Sequence, residues 1–81
     1  MWLDKKRIAQ VVKDNDMTYS EVAIELGLTL EETLKILEGK KSANRKQAEI
    51  LLNLFGIWNI CWAMKDNWRW MRYAIEAILA N

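Results

Sequence analysis

Histidine and proline are both missing from this chain, and cysteine occurs once, as Cys61. Each absence removes something. Without histidine the usual general base and the ordinary Cys/His zinc spacings are gone. A single thiol excludes an internal disulfide. Lack of proline leaves helices uninterrupted, as an all-α chain requires. Net charge is nearly absent too: 12 Lys and Arg stand against 11 Asp and Glu, giving +1, which is little for a nucleic-acid binder. No apolar run stays free of charge for the roughly 18 residues of a membrane span. The opening MWLDKKR has no apolar stretch behind it, so no targeting segment or membrane is implied and a cytoplasmic location is expected. Glu31 and Glu32 are adjacent and diverge on a helix, and no glycine-rich phosphate loop or dinucleotide fingerprint occurs. Catalysis is not expected, nor is any cofactor or metal.

What is present is punctuation. Eighty-one residues, 52% of them apolar, suit one small helical domain. Between Met17 and Ile57 each expected helix has its own start signal. Thr18 with Glu21 and Thr29 with Glu32 are capping boxes, and Asn44 with Gln47 is a looser version. The only three glycines, at 27, 39 and 56, each follow an apolar-periodic run, where a left-handed residue ends a helix. The spacing predicts helices over 19–26, 30–38 and 45–55, preceded by one over 3–14 that ends at Asn15-Asp16. A helix, a tight Gly-containing turn and a second helix form the helix-turn-helix signature.

Met17-Thr18, Ala23 and Leu26-Gly27-Leu28-Thr29, then Gly39-Lys40 and Phe55-Gly56-Ile57, fall at the spacing of a known pattern. Together with Ile8 and Val11 they make the segment from Lys5 to Ile57 resemble the lambda-repressor/Cro/Xre-type helix-turn-helix family. The resemblance implies a small DNA-binding regulator, repressor-like and of phage or mobile-element type, working as a homodimer on double-stranded DNA. Family members often pair an arginine of the first helix with a glutamate near the end of the recognition helix. Here those positions hold Val12 and Leu37, so the link is expected to survive as an apolar contact, a double exchange that costs little.

By that register the third helix is the recognition helix, with Thr33 and Ile36 inward and Leu28 in the turn before it. Thr29, Leu30, Glu31, Leu34 and Lys35 are left to face bases. A leucine can meet a thymine methyl and Glu31 can accept from cytosine N4. Tyr19, Lys40, Lys41, Asn44 and Arg45 are the expected phosphate contacts, helped by the amide end of the fourth helix. Charge distribution complicates this picture. From Met17 to Glu38 five Glu face one Lys, a local −4, while Lys40, Lys41, Arg45 and Lys46 against Glu49 leave +3 over the next stretch. Lys5, Lys6 and Arg7 are either a solvated face or a further phosphate contact. A competing reading takes Leu30, Leu34 and Leu37 as an apolar stripe, i, i+4, i+7, that packs against protein; a third assigns some of these leucines to the core of a slightly rotated helix. The chain is then a protein-interaction module or inhibitor that retains the fold without reading DNA.

Beyond position 57 the resemblance ends. Ile57, Cys61, Met64, Trp68, Met71, Ile75 and Ile78 recur at alternating spacings of four and three, a seam over three heptads. This predicts an amphipathic helix in 58–81, about 33 Å long if continuous from 59 to 80, or broken at Asp66-Asn67. Trp62, Trp70 and Tyr73 widen its apolar surface. Large apolar patches mark association, so Cys61, Met64, Trp68, Met71, Ile75 and Ile78 are the expected dimer interface. Folding of this tail back on the first helix is the alternative. The expected architecture is thus a five-helix, all-α protein: a lambda-repressor-like helix-turn-helix domain over 1–57 and a Trp-rich dimerisation helix.

Overall fold

A computed structural model describes residues 1–65, and within them the chain forms five α-helices and no β-strand. They are α1 (Lys5–Asp14), α2 (Tyr19–Leu26), α3 (Leu30–Leu37), α4 (Arg45–Phe55) and α5 (Ile57–Ala63).

Local chemistry sets most of the boundaries. The Asp4 carboxylate accepts the Arg7 amide at 3.0 Å and starts α1. At α2 the box is complete: Glu21 N donates to Thr18 Oγ1 at 3.2 Å and the Glu21 carboxylate accepts from Thr18 N at 3.1 Å. Asn44 and Gln47 close theirs as fully, at 2.8 and 3.0 Å. The expected box at Thr29 is only half made. Glu32 N donates to Thr29 Oγ1 at 3.1 Å, but the Glu32 carboxylate turns instead to Lys41, 3.4 Å away. Gly27 ends α2 in the left-handed region, φ 67°, ψ 31°. Gly56 is different: at φ 86°, ψ 156° it occupies an extended region open only to glycine, which turns α4 directly into α5.

One core binds the five helices. α1 packs on α5 and α3, α2 on α3 and α4, and α4 on α5. Ile8, Val11 and Val12 of α1 share one cluster with Val22 and Leu26 of α2, Ile36 and Leu37 of α3, and Ala48, Leu51, Leu52 and Phe55 of α4, and Ala23 is buried as well. Val12 and Leu37, expected to replace an ion pair, are both buried. Leu28 is half-buried against this cluster. Ile24 lies on the surface, 77% exposed.

Two expectations fail at the ends. The first helix starts at Lys5, not Leu3, because Met1, Trp2 and Leu3 run as an extended strip whose Met1 and Leu3 side chains are buried. That strip is held on both sides. Ala43 N donates to the Met1 carbonyl at 2.8 Å, and the Met1 nitrogen donates to Ser42 Oγ at 3.0 Å. Opposite, Asp4 N donates to the Ala63 carbonyl at 2.7 Å and Lys65 N to the Trp2 carbonyl at 2.9 Å. Leu3 and Met64 thereby form an isolated antiparallel bridge. This explains the second failure. A continuous helix from 59 to 80 is not formed: α5 stops at Ala63 and Met64 is extended, φ −81°, ψ 142°. The break comes ahead of Asp66-Asn67, which lie outside the described residues, because the strip offers the Ala63 carbonyl and the Lys65 amide backbone partners that a further helical turn would forfeit. Ile60, Ala63 and Met64 also join the common core, so the apolar core runs past position 57 without interruption.

Candidate nucleic-acid interface

The exposed side of α3 follows from its buried one. Thr33, Ile36 and Leu37 are almost wholly enclosed, which leaves Thr29, Leu30, Glu31 and Lys35 in water and Leu34 half-covered. All five residues expected to face bases therefore reach the surface at least in part. The rival stripe of Leu30, Leu34 and Leu37 does not form a continuous outer face, because Leu37 points into the core. Lys35 is the one cation of α3 and makes no ion pair within the described residues.

Around α3 lies a rim of positive charge. Lys40, Lys41, Asn44 and Arg45 are all exposed. The turn that carries the lysines is tied down at its backbone, with the amides of Lys40 and Lys41 both donating to the Lys35 carbonyl at 2.9 and 3.1 Å. Asn44 keeps its Oδ1 on the Gln47 amide, so as a cap it is already committed. α4 begins here, and the positive end of its dipole faces the same loop. Tyr19, in the first turn of α2, is half-buried; burial, and after it the charge of Glu38, pushes its hydroxyl above the usual tyrosine range.

Sequence reasoning missed what these cations touch. Lys40 Nζ is 3.7 Å and Lys5 Nζ 3.5 Å from the same Glu38 Oε2. Lys41 meets Glu32 at 3.4 Å and Arg45 meets Glu49 at 3.8 Å. All four cations are more than half exposed. Such surface pairs contribute about 0–1 kcal/mol each and exchange readily for another anion. The signal was present as Lys and Glu interleaved over 31–41, yet spacing alone does not assign partners across a turn. Arg7 was missed as well. Its guanidinium lies 5.7 Å from the centre of the Trp62 ring and donates to the Trp62 carbonyl at 3.2 Å, a contact of α1 with α5 and not a free basic cluster.

Of the expected dimer contacts, Met64 must be corrected: it is buried under the Leu3 strip of its own chain, leaving 2% exposed, and offers nothing to a second copy. Cys61 is half-buried, and burial pushes its thiol up. Trp68, Met71, Ile75 and Ile78, like Trp70 and Tyr73, lie outside the described residues. The apolar surface that α5 does present is Trp58, 84% exposed, and Trp62, 49% exposed. No helix among the described residues is long and apolar enough to cross a membrane. Compared with known proteins, the chain matches no family model, no curated protein and no solved structure.

Proposed function

We propose that the protein is a small DNA-binding regulator in which α2, the Gly27 turn and α3 act as a helix-turn-helix and α3 enters the major groove. One observation carries the reading: Thr29, Leu30, Glu31 and Lys35 project from α3 while its opposite side is sealed in the core, with Lys40, Lys41 and Arg45 on the flanking turn. Phosphate contacts from that rim supply affinity, and the α3 side chains supply what base preference there is. Leu30 and Leu34 suit thymine methyls better than hydrogen-bonded readout, so the preference is modest. Two copies acting together would address two half-sites. Their contact is proposed to use the outer side of α5, through Trp58, Cys61 and Trp62, together with Trp68, Met71, Ile75 and Ile78 further along the sequence.

A second reading has its own support. Every rim cation is already matched by a carboxylate of its own chain, and α5 turns Trp58 almost fully to water. That combination fits a protein-interaction module or inhibitor that keeps the fold and binds through apolar surface. Salt separates the two. Anisotropy of a labelled duplex is measured over a salt series for the wild type and for the combined Lys40→Ala, Lys41→Ala, Arg45→Ala variant. If the rim contacts phosphates, the triple variant loses most of its affinity and the salt slope flattens by about 2.7, roughly 0.9 per contact. Unchanged binding and slope would defeat the proposal. An apolar protein complex hardly responds to salt. Light scattering at micromolar concentration tests the dimer, and a monomer mass counts against it.

A further inference from the structure

The four ion pairs of the rim are not equivalent. Lys41–Glu32 and Arg45–Glu49 lie in open water, but the other two share Glu38. Its Oε2 sits between Lys5 Nζ at 3.5 Å and Lys40 Nζ at 3.7 Å, drawn from two elements that are 35 positions apart in the chain. The Glu38 side chain is only 26% exposed, against 68% and 70% for the lysines. The backbone fixes this arrangement: Glu38 is the C-cap of α3, Gly39 follows at φ 75°, and the Leu3 carbonyl crosses directly above Gly39. Lys5 is thus brought to Lys40 by the docked strip, not by chance approach of two long side chains.

We infer that Lys5 and Lys40 form a seat for one phosphate and that the Glu38 carboxylate occupies it as an internal competitor, limiting sequence-independent binding. Two ammonium groups converging on one oxygen are donors that suit a phosphate oxygen. A carboxylate already there must be displaced before a phosphate can enter. The functional consequence rests on the DNA reading above; the seat itself does not. The device accounts for a basic rim in a domain of nearly zero net charge: attraction to any duplex is held down, and contacts elsewhere on α3 must contribute before binding is tight. Lys5, from the first helix, becomes part of the interface.

The test is Glu38→Gln, which preserves length and removes the charge, with Glu25→Gln as a control. Glu25 is exposed on α2 and has no ion pair among the described residues, and both variants raise net charge equally. Each is titrated into a duplex of arbitrary sequence over a salt series. Separately, inorganic phosphate is added while the Gly39 and Lys40 amides are followed by NMR. Glu38→Gln is expected to bind the duplex about three- to tenfold more tightly than wild type, with a slope steeper by about 0.9 for the added contact. Lys5→Gln in that background removes the gain. Phosphate is expected to shift the two amides in Glu38→Gln and not in wild type. Equal gains from Glu25→Gln and Glu38→Gln reduce the effect to bulk charge and overturn the inference, as does a Glu38→Gln protein whose amides ignore phosphate. If phosphate shifts those amides in Glu38→Gln while no variant binds DNA, the seat stands and the DNA reading falls.

Discussion

Replacing Gly39 by alanine probes the join on which the domain's geometry depends. Two costs are superposed there. Gly39 has φ 75°, and a left-handed residue with a Cβ loses about 1–2 kcal/mol. In addition, a Cβ at Gly39 would stand 2.7 Å from the Leu3 carbonyl oxygen and 3.1 Å from Lys65 Nζ. The lysine end can swing away; the backbone carbonyl cannot move without lifting the strip. That weakens the bonds from Lys65 N to Trp2 O and from Asp4 N to Ala63 O, worth about 0.5–1.5 kcal/mol each, and loosens the packing of Leu3. Gly27→Ala separates the two costs, since Gly27 has φ 67° but nothing within 4 Å of a built Cβ. The expected losses are about 1–2 kcal/mol for Gly27→Ala and about 3 kcal/mol for Gly39→Ala, a gap of at least about 5 °C in melting temperature for a domain of this size. Urea titration followed by tryptophan fluorescence measures both. Hydrogen exchange adds location: the Asp4 and Lys65 amides should lose protection only in Gly39→Ala. Equal losses in the two variants, or protected amides in both, would show that the strip does not lie across Gly39.

Two further outcomes follow from single side chains. Thr33 is fully buried and its hydroxyl has no hydrogen-bond partner among the described residues, so Thr33→Val, of the same shape, should raise stability by about 1 kcal/mol in chemical denaturation; a loss of that size would mean that the hydroxyl is satisfied. Burial and the Glu38 charge hold the Tyr19 phenol above its ordinary 10.0. The folded protein therefore keeps that proton where the unfolded chain has released it. The corresponding stability is complete below 10.0 and is lost as pH rises toward and through the folded value. Melting curves from about pH 8 to about pH 11 should show a steeper alkaline decline in wild type than in Tyr19→Phe, and parallel declines would contradict the assignment.

Legibility in the sequence tracks the distance over which each feature is decided. Thr18, Thr29 and Asn44 cap helices through residues three positions away, so their type and spacing are sufficient. The outward set on α3 follows from helical period once Thr33 and Ile36 are taken inward. Met64 was misplaced for the opposite reason. It continues the apolar seam perfectly, and nothing near it announces that the strip around Leu3 will dock beside it. Periodicity records which side chains are apolar, not which partner in the fold will bury them. The Glu32 carboxylate shows the same conflict at short range. Its local role at Thr29 and its tertiary role at Lys41 compete for one group, and the lysine prevails. Charge sums over 17–38 registered an excess of glutamate but were blind to the pairing of Glu38 with Lys5, which depends on the Met1–Leu3 strip being docked.

That strip carries a temporal consequence. Leu3 and Met64 meet across 61 positions, and closing so large a loop is entropically costly. Helices α2 and α3 can associate through a three-residue connection, whereas the clasp has to wait for both of its halves. A nascent chain halted before position 63 lacks the Ala63 and Lys65 bonds on one side of the strip, so the last short stretch of the first 65 residues completes the hold on the earliest.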